Sequence, residues 1–232
     1  MTGPVAVVVG GGGPPEVPPG GLGDLGGDVV VVAADSGLAG AGLLGLPVDL
    51  VVGDMDSVEG GELAAAVEAG VPVERHPVAK DATDLDLALA AALARRPRPG
   101  RLVVVTGTGD RFDHALAVAL ALASPRYAGV EVEAWIGPAH LWVVRDRATL
   151  RGAPGALVSL LPAHGPAGGV TTDGLLYPLA GEDLPAGSTR GVSNEMTGDE
   201  ATVRVGSGVL LAVMPGGVGA PAAGVPRSPP WT

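Results

Sequence analysis

The chain contains no cysteine among its 232 residues, so neither a disulfide nor a thiolate-ligated metal site is available to it. Aromatic residues make up only 3% of the sequence, although 47% of it is hydrophobic. The core must therefore consist mainly of Val, Leu and Ala, in one large domain or two smaller ones. The lack of cysteine also fits a cytoplasmic location, which is the one we expect.

Basic residues are scarce, since 14 Lys and Arg stand against 25 Asp and Glu, for a formal net charge of −11. Such a surface repels a phosphate backbone, so we expect no nucleic-acid partner. The apolar stretch at 29–46 contains Asp35 and several glycines, which makes it a poor membrane span. The first residues lack the basic segment of a signal peptide, so we expect no membrane association.

Val-rich runs alternate with helix-like segments in the first part of the chain. The clearest helical pattern covers 83–96, where Leu and Ala recur at helical spacing. Shorter helices are predicted at 38–49, 62–70 and 113–123. This alternation is typical of βαβ units, so we predict an α/β fold with a parallel sheet covered on both faces.

The pattern changes after about Ala128, where short apolar runs are separated by turn residues and no helical stretch follows. The segment EATVRV alternates polar and apolar residues, as a half-exposed antiparallel strand does. We therefore predict an α/β domain at 1–128 and an all-β domain, a small sandwich, at 129–215. The Gly-, Pro- and Ala-rich tail at 216–232 is predicted to be disordered.

Acidic residues follow several of the predicted strands, namely Asp35, Asp54, Asp56, Asp84 and Asp113. Taken singly, each is an ordinary helix N-cap or turn residue. The carboxyl ends of parallel strands meet at one edge of a sheet, however, and carboxylates that meet repel one another unless a cation joins them. Mg²⁺ is the cation we expect, because it prefers oxygen ligands and is usually held by carboxylates together with substrate phosphates.

The segment VVGDMDSVEG carries the strongest of these signals. In an extended Asp-x-Asp both side chains point to the same side, which predicts that Asp54 and Asp56 act together. Gly53 permits a tight turn before them. Ser57 is expected either to cap the next helix or to contact a phosphate.

Two basic residues lie close to these acids in the sequence. Lys80 precedes the helix that begins near Asp84, and Arg111 lies in the glycine-rich turn GTGDRFDH between a strand and a helix. Arg111 could neutralise phosphate charge by a bidentate contact. The plainer alternatives are a surface Lys80 and an Arg111 paired with a neighbouring Asp such as Asp113. The glycine-rich loop at 10–21 matches neither common phosphate-binding motif, and a flexible loop is the favoured interpretation.

Six blocks of the chain, in order between about Val29 and Met214, closely resemble thiamine pyrophosphokinases (thiamine diphosphokinases). They are ADSG, PVDLVVGDMDSV, KDATDLDLAL, GTGDRFDHALA, GVTTDGLLYPL and STRGVSNE. The resemblance implies a Rossmann-like nucleotide-binding domain followed by a β-sandwich. It also implies transfer of a pyrophosphoryl group from ATP to thiamine, and a homodimer with its active sites at the subunit interface.

Site residues are carried over from the resemblance one by one. It implies that Asp54, Asp56 and Asp84 bind the metal. The residues that it places near ATP are Asp35, Ser57, Lys80, Thr83 and Arg111. It implies that Ser193 and Asn194 help to hold thiamine. The proton acceptor for the thiamine hydroxyl is left open between Asp84 and Asp113.

Three alternatives are weighed against this assignment. A pterin pyrophosphokinase would use the same chemistry on a hydroxymethylpterin, and a non-catalytic thiamine- or nucleotide-binding module would have lost turnover. A glycosyltransferase with an Asp-x-Asp motif fits only one of the six blocks. Trp135 and Trp142 could offer an aromatic face to cationic thiamine, but packing in the core is the favoured role for both.

Overall fold

The computed structural model describes residues 3–109 and 111–216. The predicted disorder at 216–232 therefore concerns residues that, apart from Gly216, lie outside the described part. The chain divides into two compact units between Val143 and Val144. This boundary lies later than the predicted one after residue 128, because the helices stop near there whereas the sheet of the first unit continues for two more strands.

The first unit combines parallel strands with short helices. Its strands are β1 (Val5–Val9), β2 (Val29–Ala34), β3 (Leu50–Gly53), β4 (Val73–Arg75), β5 (Arg101–Thr106), β6 (Glu131–Ile136) and β7 (Ala139–Val144). Its helices are α1 (Gly37–Leu43), α2 (Gly60–Glu68), α3 (Asp84–Ala94) and α4 (Phe112–Leu122), and a 3-10 turn covers Pro125–Tyr127. The mixed α/β character predicted for this part is confirmed.

The strands of the first unit lie in the order β7-β6-β5-β1-β2-β3-β4. All neighbours pair in parallel except β6 and β7, which form an antiparallel hairpin. Strand β1 lies inside this sheet and is buried along its whole length. Its sequence VAVVV is apolar at every position because both faces of such a strand are covered.

Helix α3 packs against β1, β2 and β3. It buries Ala88, Leu89 and Ala92, three residues of the helical face that the sequence predicts. Thr83 is the N-cap, and its hydroxyl accepts a hydrogen bond of 3.1 Å from the N–H of Asp86. This cap fixes the start of α3, and with it the position of Asp84 in the first turn.

The strand order creates a crevice at the carboxyl end of β1. From β1 the chain proceeds to β2, β3 and β4 on one side, and then returns to β5 on the other side of β1. The order of the strands along the chain thus reverses between β1 and β5. In parallel α/β sheets such a point is the usual place for a ligand.

Trp135 and Trp142 both contact His140 in the hairpin of β6 and β7. The ring centroid of His140 lies 4.0 Å from that of Trp135 and 3.7 Å from that of Trp142. Beside them, the buried Glu133 carboxylate lies 2.5 Å from the guanidinium of Arg101. Trp135 is fully buried and Trp142 nearly so, which agrees with the predicted core role of both.

In the second unit all the regular elements of the described residues are strands. They are β8 (Arg147–Arg151), β9 (Leu157–Pro162), β10 (Ala167–Asp173), β11 (Ala180–Leu184), β12 (Asn194–Glu195), β13 (Glu200–Arg204) and β14 (Leu210–Met214). Strands β11-β10-β13-β8 form one antiparallel sheet, and β12-β9-β14 are hydrogen-bonded in that order. In β13, Ala201 and Val203 are buried while Glu200 and Arg204 are exposed, as the alternation of EATVRV predicts.

None of the helices in the described part of the chain combines the length and the apolar character that crossing a membrane requires.

Candidate functional site

A cavity of about 340 Å³ lies in the first unit at the carboxyl ends of β1, β2 and β5. Its walls come from the ends of these strands, the loop after β3, and helices α3 and α4. Five of the residues that the sequence selects line it, namely Asp35, Ser57, Thr83, Asp84 and Arg111. The cavity therefore lies at the crevice that the strand order creates.

Three carboxylates converge at this cavity. Asp35, Asp54 and Asp84 each offer one oxygen atom, and these three atoms lie within 4.8 Å of one another. Asp35 and Asp84 also belong to the cavity wall. Negative charges at such separations repel one another, and oxygen ligands so placed suit a hard divalent cation such as Mg²⁺. The geometry thus brings Asp54 and Asp84 together and adds Asp35, whose sequence-based role is nucleotide binding.

The backbone around Asp35, Asp54 and Asp84, here called the trio, adopts unusual conformations that let these three acids approach one another. Gly53 ends β3 with a φ of 150°, and a Cβ atom there would lie 3.2 Å from Cβ of Asp35. Asp35 itself has a φ of 50°, in the left-handed region that few residues other than glycine adopt. Non-glycine residues in such conformations cluster at functional sites, where surrounding contacts hold them in place.

The expected extended Asp-x-Asp is wrong, because Met55 has a φ of 67° and the chain turns there. As a result, the N–H of Asp56 donates a 3.2 Å hydrogen bond to Oδ1 of Asp54. Asp56 is exposed and lies outside the trio. The negative charge of Asp54, with smaller effects from Asp35 and Asp84, raises the pKa of Asp56 above its ordinary value.

Lys80 is the counter-charge to two members of the trio, which excludes the alternative of an ordinary surface lysine. Its Nζ lies 2.7 Å from Oδ2 of Asp54 and 3.2 Å from Oδ1 of Asp84, and its side chain is only 14% exposed. The hydrogen bond between Lys80 and Asp54 lowers the pKa of Asp54 and raises that of Lys80. Lys80 therefore partly neutralises the trio.

Ser57 supports Asp35 and does not cap the next helix. Helix α2 begins at Gly60 with Glu59 as its N-cap, and the hydroxyl of Ser57 donates a hydrogen bond to Oδ2 of Asp35. The other oxygen of Asp35, Oδ1, is buried and has no hydrogen-bond partner among residues 3–109 and 111–216. Leaving a buried carboxylate oxygen unpaired is costly, so this oxygen is suited to a ligand or a cation.

Arg111 and Asp113 form the pair that the plainer alternative predicts. Nε and Nη2 of Arg111 lie 3.0 and 2.6 Å from the two carboxylate oxygens of Asp113. This pairing lowers the pKa of Asp113 to about 2. A carboxylate with so low a pKa is a weak base, and Asp113 is not part of the cavity wall. Arg111 does line the cavity, as does the neighbouring His114.

Two glycine segments contribute to the wall, and the one after β1 was undervalued from the sequence. Gly10–Gly12 follow β1, and Gly107 and Gly109 follow β5; all of them line the cavity. The N–H of Gly109 donates a 2.7 Å hydrogen bond to the carbonyl of Gly12, so the loop after β1 is tied to the loop after β5 at this point. The signal available in the sequence was the position of each segment directly after a predicted strand.

Ser193 and Asn194 lie in the second unit, at the start of β12. Ser193 has a φ of 59°, and its N–H donates to the hydroxyl of Ser159 at 3.2 Å. The buried amide of Asn194 accepts from the N–H of Tyr177 at 3.0 Å and donates to the carbonyl of the same residue at 2.8 Å. Asn194 therefore holds the backbone of Tyr177 in place. The side chain of Tyr177 is 57% exposed.

Comparison with known proteins matches both parts of the chain to one family. Residues 27–134 match the model of the thiamin pyrophosphokinase catalytic domain, and residues 147–210 match that of the thiamin pyrophosphokinase vitamin B1 binding domain. The chain is also similar to the thiamine pyrophosphokinase of Bacillus subtilis (strain 168), with 28% identity over 181 residues. That alignment covers 72% of this chain and 78% of the relative.

Solved structures show the same likeness over most of the chain. A crystal structure of the B. subtilis thiamine pyrophosphokinase matches with a TM-score of 0.74 at 24% identity, covering 90% of this chain and 98% of the other. A thiamin pyrophosphokinase family protein from Enterococcus faecalis matches with a TM-score of 0.70 at 26% identity, covering 90% and 97%. Since the two family models cover most of the sequence and lie in the expected order, the chain belongs to the thiamin pyrophosphokinase family.

Proposed function

We propose that the chain transfers the pyrophosphoryl group of Mg²⁺-bound ATP to the hydroxyl of thiamine, giving thiamine diphosphate and AMP, with the cavity of the first unit as the nucleotide site. Family membership supports the thiamine pyrophosphokinase activity. The observation that supports this location is the convergence of Asp35, Asp54 and Asp84 at a cavity on the carboxyl edge of a parallel sheet.

The trio fits a divalent cation by its own chemistry. Its donors are carboxylate oxygens. Oδ1 of Asp35 is buried without a hydrogen bond among the described residues, and a Cβ atom at Gly53 would lie 3.0 Å from Oδ1 of Asp84. We assign Asp35, Asp54 and Asp84 as the residues that would hold Mg²⁺, and Asp56 as an outer carboxylate that would add negative charge beside them. When bound, the metal would offset the negative charge that develops on the phosphates.

Arg111 and Lys80 supply the positive charge of the site. Arg111 lines the cavity, and its guanidinium is largely exposed. The guanidinium can therefore release the carboxylate of Asp113 and bind a phosphate oxygen instead, without any rearrangement of buried side chains. Lys80 is held by Asp54 and Asp84 and orients these two carboxylates. Both residues therefore reduce the repulsion between an acidic site and a triphosphate.

Positioning accounts for the rest of the chemistry. The thiamine hydroxyl must lie in line with the β-phosphorus of ATP, and holding the two reactants in that geometry lowers the barrier. Of the two acceptors considered for the hydroxyl proton, Asp84 lines the cavity, whereas Asp113 lies outside the wall with a pKa of about 2. We therefore favour Asp84.

Thiamine is preferred over a pterin as the acceptor because residues 147–210 match a vitamin B1 binding domain. We propose that Ser193 and Asn194 belong to that binding surface. Large apolar side chains are exposed beside them, at Leu176, Tyr177 and Val192. An exposed apolar surface supports the proposed homodimer with active sites at the subunit interface, which light scattering would detect as twice the mass of the chain.

The proposal extends to the architecture of the two units. The parallel order of β5-β1-β2-β3 and the crevice beside β1 support a Rossmann-like nucleotide-binding role for the first unit. Alternating burial in β9 and β13 supports a sandwich in the second unit, since each sheet then has one face to cover. A cytoplasmic location is proposed from the composition, which has no cysteine.

One assay tests the reaction directly. Purified protein with ATP, Mg²⁺ and thiamine should yield thiamine diphosphate and AMP in equal amounts, and EDTA should abolish both. Omitting thiamine is the control that separates transfer from plain ATP hydrolysis. If turnover is faster with 6-hydroxymethylpterin than with thiamine, the pterin is the acceptor. AMP formation at the same rate with and without either acceptor would contradict the proposal.

A further inference from the structure

The loops that follow β1 and β5 approach each other too closely for side chains. A Cβ atom at Gly107 would lie 2.0 Å from the carbonyl oxygen of Gly12, and one at Gly12 would lie 2.9 Å from the carbonyl oxygen of Gly107. Gly12 has a φ of 93°, which strongly favours glycine. The sequence of these loops is therefore set by backbone contact between them.

Thr106 supplies a side-chain link between the two loops. It ends β5, is only 8% exposed and lines the cavity. Its hydroxyl lies 2.7 Å from the carbonyl oxygen of Gly11 and 3.2 Å from that of Gly107. A hydroxyl has one proton to donate, so the shorter contact, to Gly11, is the principal hydrogen bond.

The carbonyl of Gly11 is held from two directions. Besides the Thr106 hydroxyl, it accepts a 3.1 Å hydrogen bond from the N–H of Gly107. Both lone pairs of the oxygen are then used, so the plane of the Gly11–Gly12 peptide is fixed. In a trans peptide the next N–H points opposite to the carbonyl, which directs the N–H of Gly12 away from the Thr106 hydroxyl.

That N–H remains available for a ligand. Within residues 3–109 and 111–216, the N–H groups of Gly11 and Gly12 donate no hydrogen bond to any acceptor. Both glycines belong to the cavity wall, together with Thr108 and Gly109 of the other loop. Backbone N–H groups in glycine-rich loops between strand and helix are well suited to phosphate oxygens.

We propose that Thr106 is a positioning residue for nucleotide binding, whose hydroxyl fixes the Gly11–Gly12 peptide so that its N–H receives a phosphate oxygen of the substrate. This inference rests on the proposed use of the cavity for Mg²⁺-bound ATP. Thr106 does not contact the reacting atoms itself. Removal of the Thr106 hydroxyl should therefore raise the Kd for ATP more than the KM for thiamine.

Two substitutions separate the hydroxyl from the rest of the side chain. Thr106→Val keeps the shape and removes the donor, whereas Thr106→Ser keeps the donor. We expect Thr106→Val to raise the Kd for ATP with Mg²⁺, measured by calorimetry without thiamine, by about threefold to tenfold, as one neutral hydrogen bond allows. Thr106→Ser should stay within about twofold of wild type, and KM for thiamine should change little in either variant.

A matched control measures what the loss of any buried threonine hydroxyl does. Thr172 in the second unit is equally buried, and its hydroxyl accepts a 2.9 Å hydrogen bond from Leu179. Thr172→Val should lower the melting temperature without raising the Kd for ATP. If Thr106→Val does not fold, the smaller Thr106→Ala removes the same donor without crowding.

The outcomes distinguish this inference from the function on which it rests. Wild-type protein that neither binds ATP nor forms thiamine diphosphate would overturn the proposed function and the role of Thr106 together. Active wild type with an unchanged Kd in Thr106→Val would overturn the role of Thr106 alone. If Thr106→Ser raises the Kd for ATP as much as Thr106→Val does, packing and not the hydroxyl is responsible. The same conclusion follows if Thr172→Val raises this Kd equally.

Discussion

A Cβ atom at Gly53 would lie 3.0 Å from Oδ1 of Asp84, closer than side chains normally approach. Gly53→Ala should therefore displace a carboxylate of the trio and strain the backbone, where φ is 150°. We expect kcat to fall by about 100-fold, because small displacements in a site that works by positioning are costly. Gly60→Ala is the control, since Gly60 begins α2 with open space around it and should stay fully active. Near-normal kcat in Gly53→Ala would show that the acids need not be held as the structure has them.

Asp54 and Asp56 should differ in importance, although they are neighbours in one motif. Asp54 belongs to the trio and pairs with Lys80, while Asp56 is exposed outside it. We expect Asp54→Asn to reduce kcat by more than about 100-fold and Asp56→Asn by about tenfold at most. Steady-state kinetics at saturating Mg²⁺, with thermal melting to check the fold, measures both. Equal losses would place Asp56 among the direct metal ligands.

The Arg111–Asp113 pair makes a prediction about pH. Since the folded pKa of Asp113 is about 2 and its ordinary value is 3.8, the pair stabilises the folded protein at pH values above the ordinary pKa. That contribution is lost as the pH falls from about 4 towards 2, and it is modest because both side chains are exposed. Carboxyl NMR titration should show the low pKa in wild type and a value near 3.8 in Arg111→Gln. The same low value in both proteins would assign the shift to another group.

Asn194 should affect stability as well as the use of thiamine. Its amide makes hydrogen bonds to both the N–H and the carbonyl of Tyr177. Asn194→Ala leaves these partly buried groups without their partner, so we expect a loss of about 1 kcal/mol in the free energy of unfolding, measured by urea titration. KM for thiamine should rise more than KM for ATP, because the Tyr177 segment belongs to the proposed thiamine surface. A KM for thiamine that equals the wild-type value would remove Asn194 from that surface.

The sequence predicted the elements of the first unit well because their signals are local. Helix α3 carries a clear apolar spacing and an N-cap, Thr83, and both appear in the structure. The position of the unit boundary was harder to predict, since β6 pairs with β5 across a distance that no local pattern records. Residues 129–143 look all-β in sequence, yet their strands complete the sheet of the first unit.

The acids of the site were found from the sequence, but their grouping was not. Which carboxylates meet depends on the left-handed conformation of Met55, and the residue type gives no hint of it. The residue type gives no hint of the proposed role of Thr106 either, because that role depends on a contact with Gly11, far away along the chain. Local patterns identify candidates of the right chemistry, whereas distances between strand ends decide which of them act together.

The packing of Trp135 and Trp142 against His140 has a practical consequence for every folding experiment above. The chain has three tryptophans, so two of them report the same hairpin of the cavity-bearing unit and the third is Trp231. Tryptophan fluorescence of a Trp231→Phe protein, excited where tyrosine does not absorb, would follow the opening of that unit alone. Circular dichroism in the far ultraviolet records both units, and a gap between the two melting curves would reveal that they unfold independently.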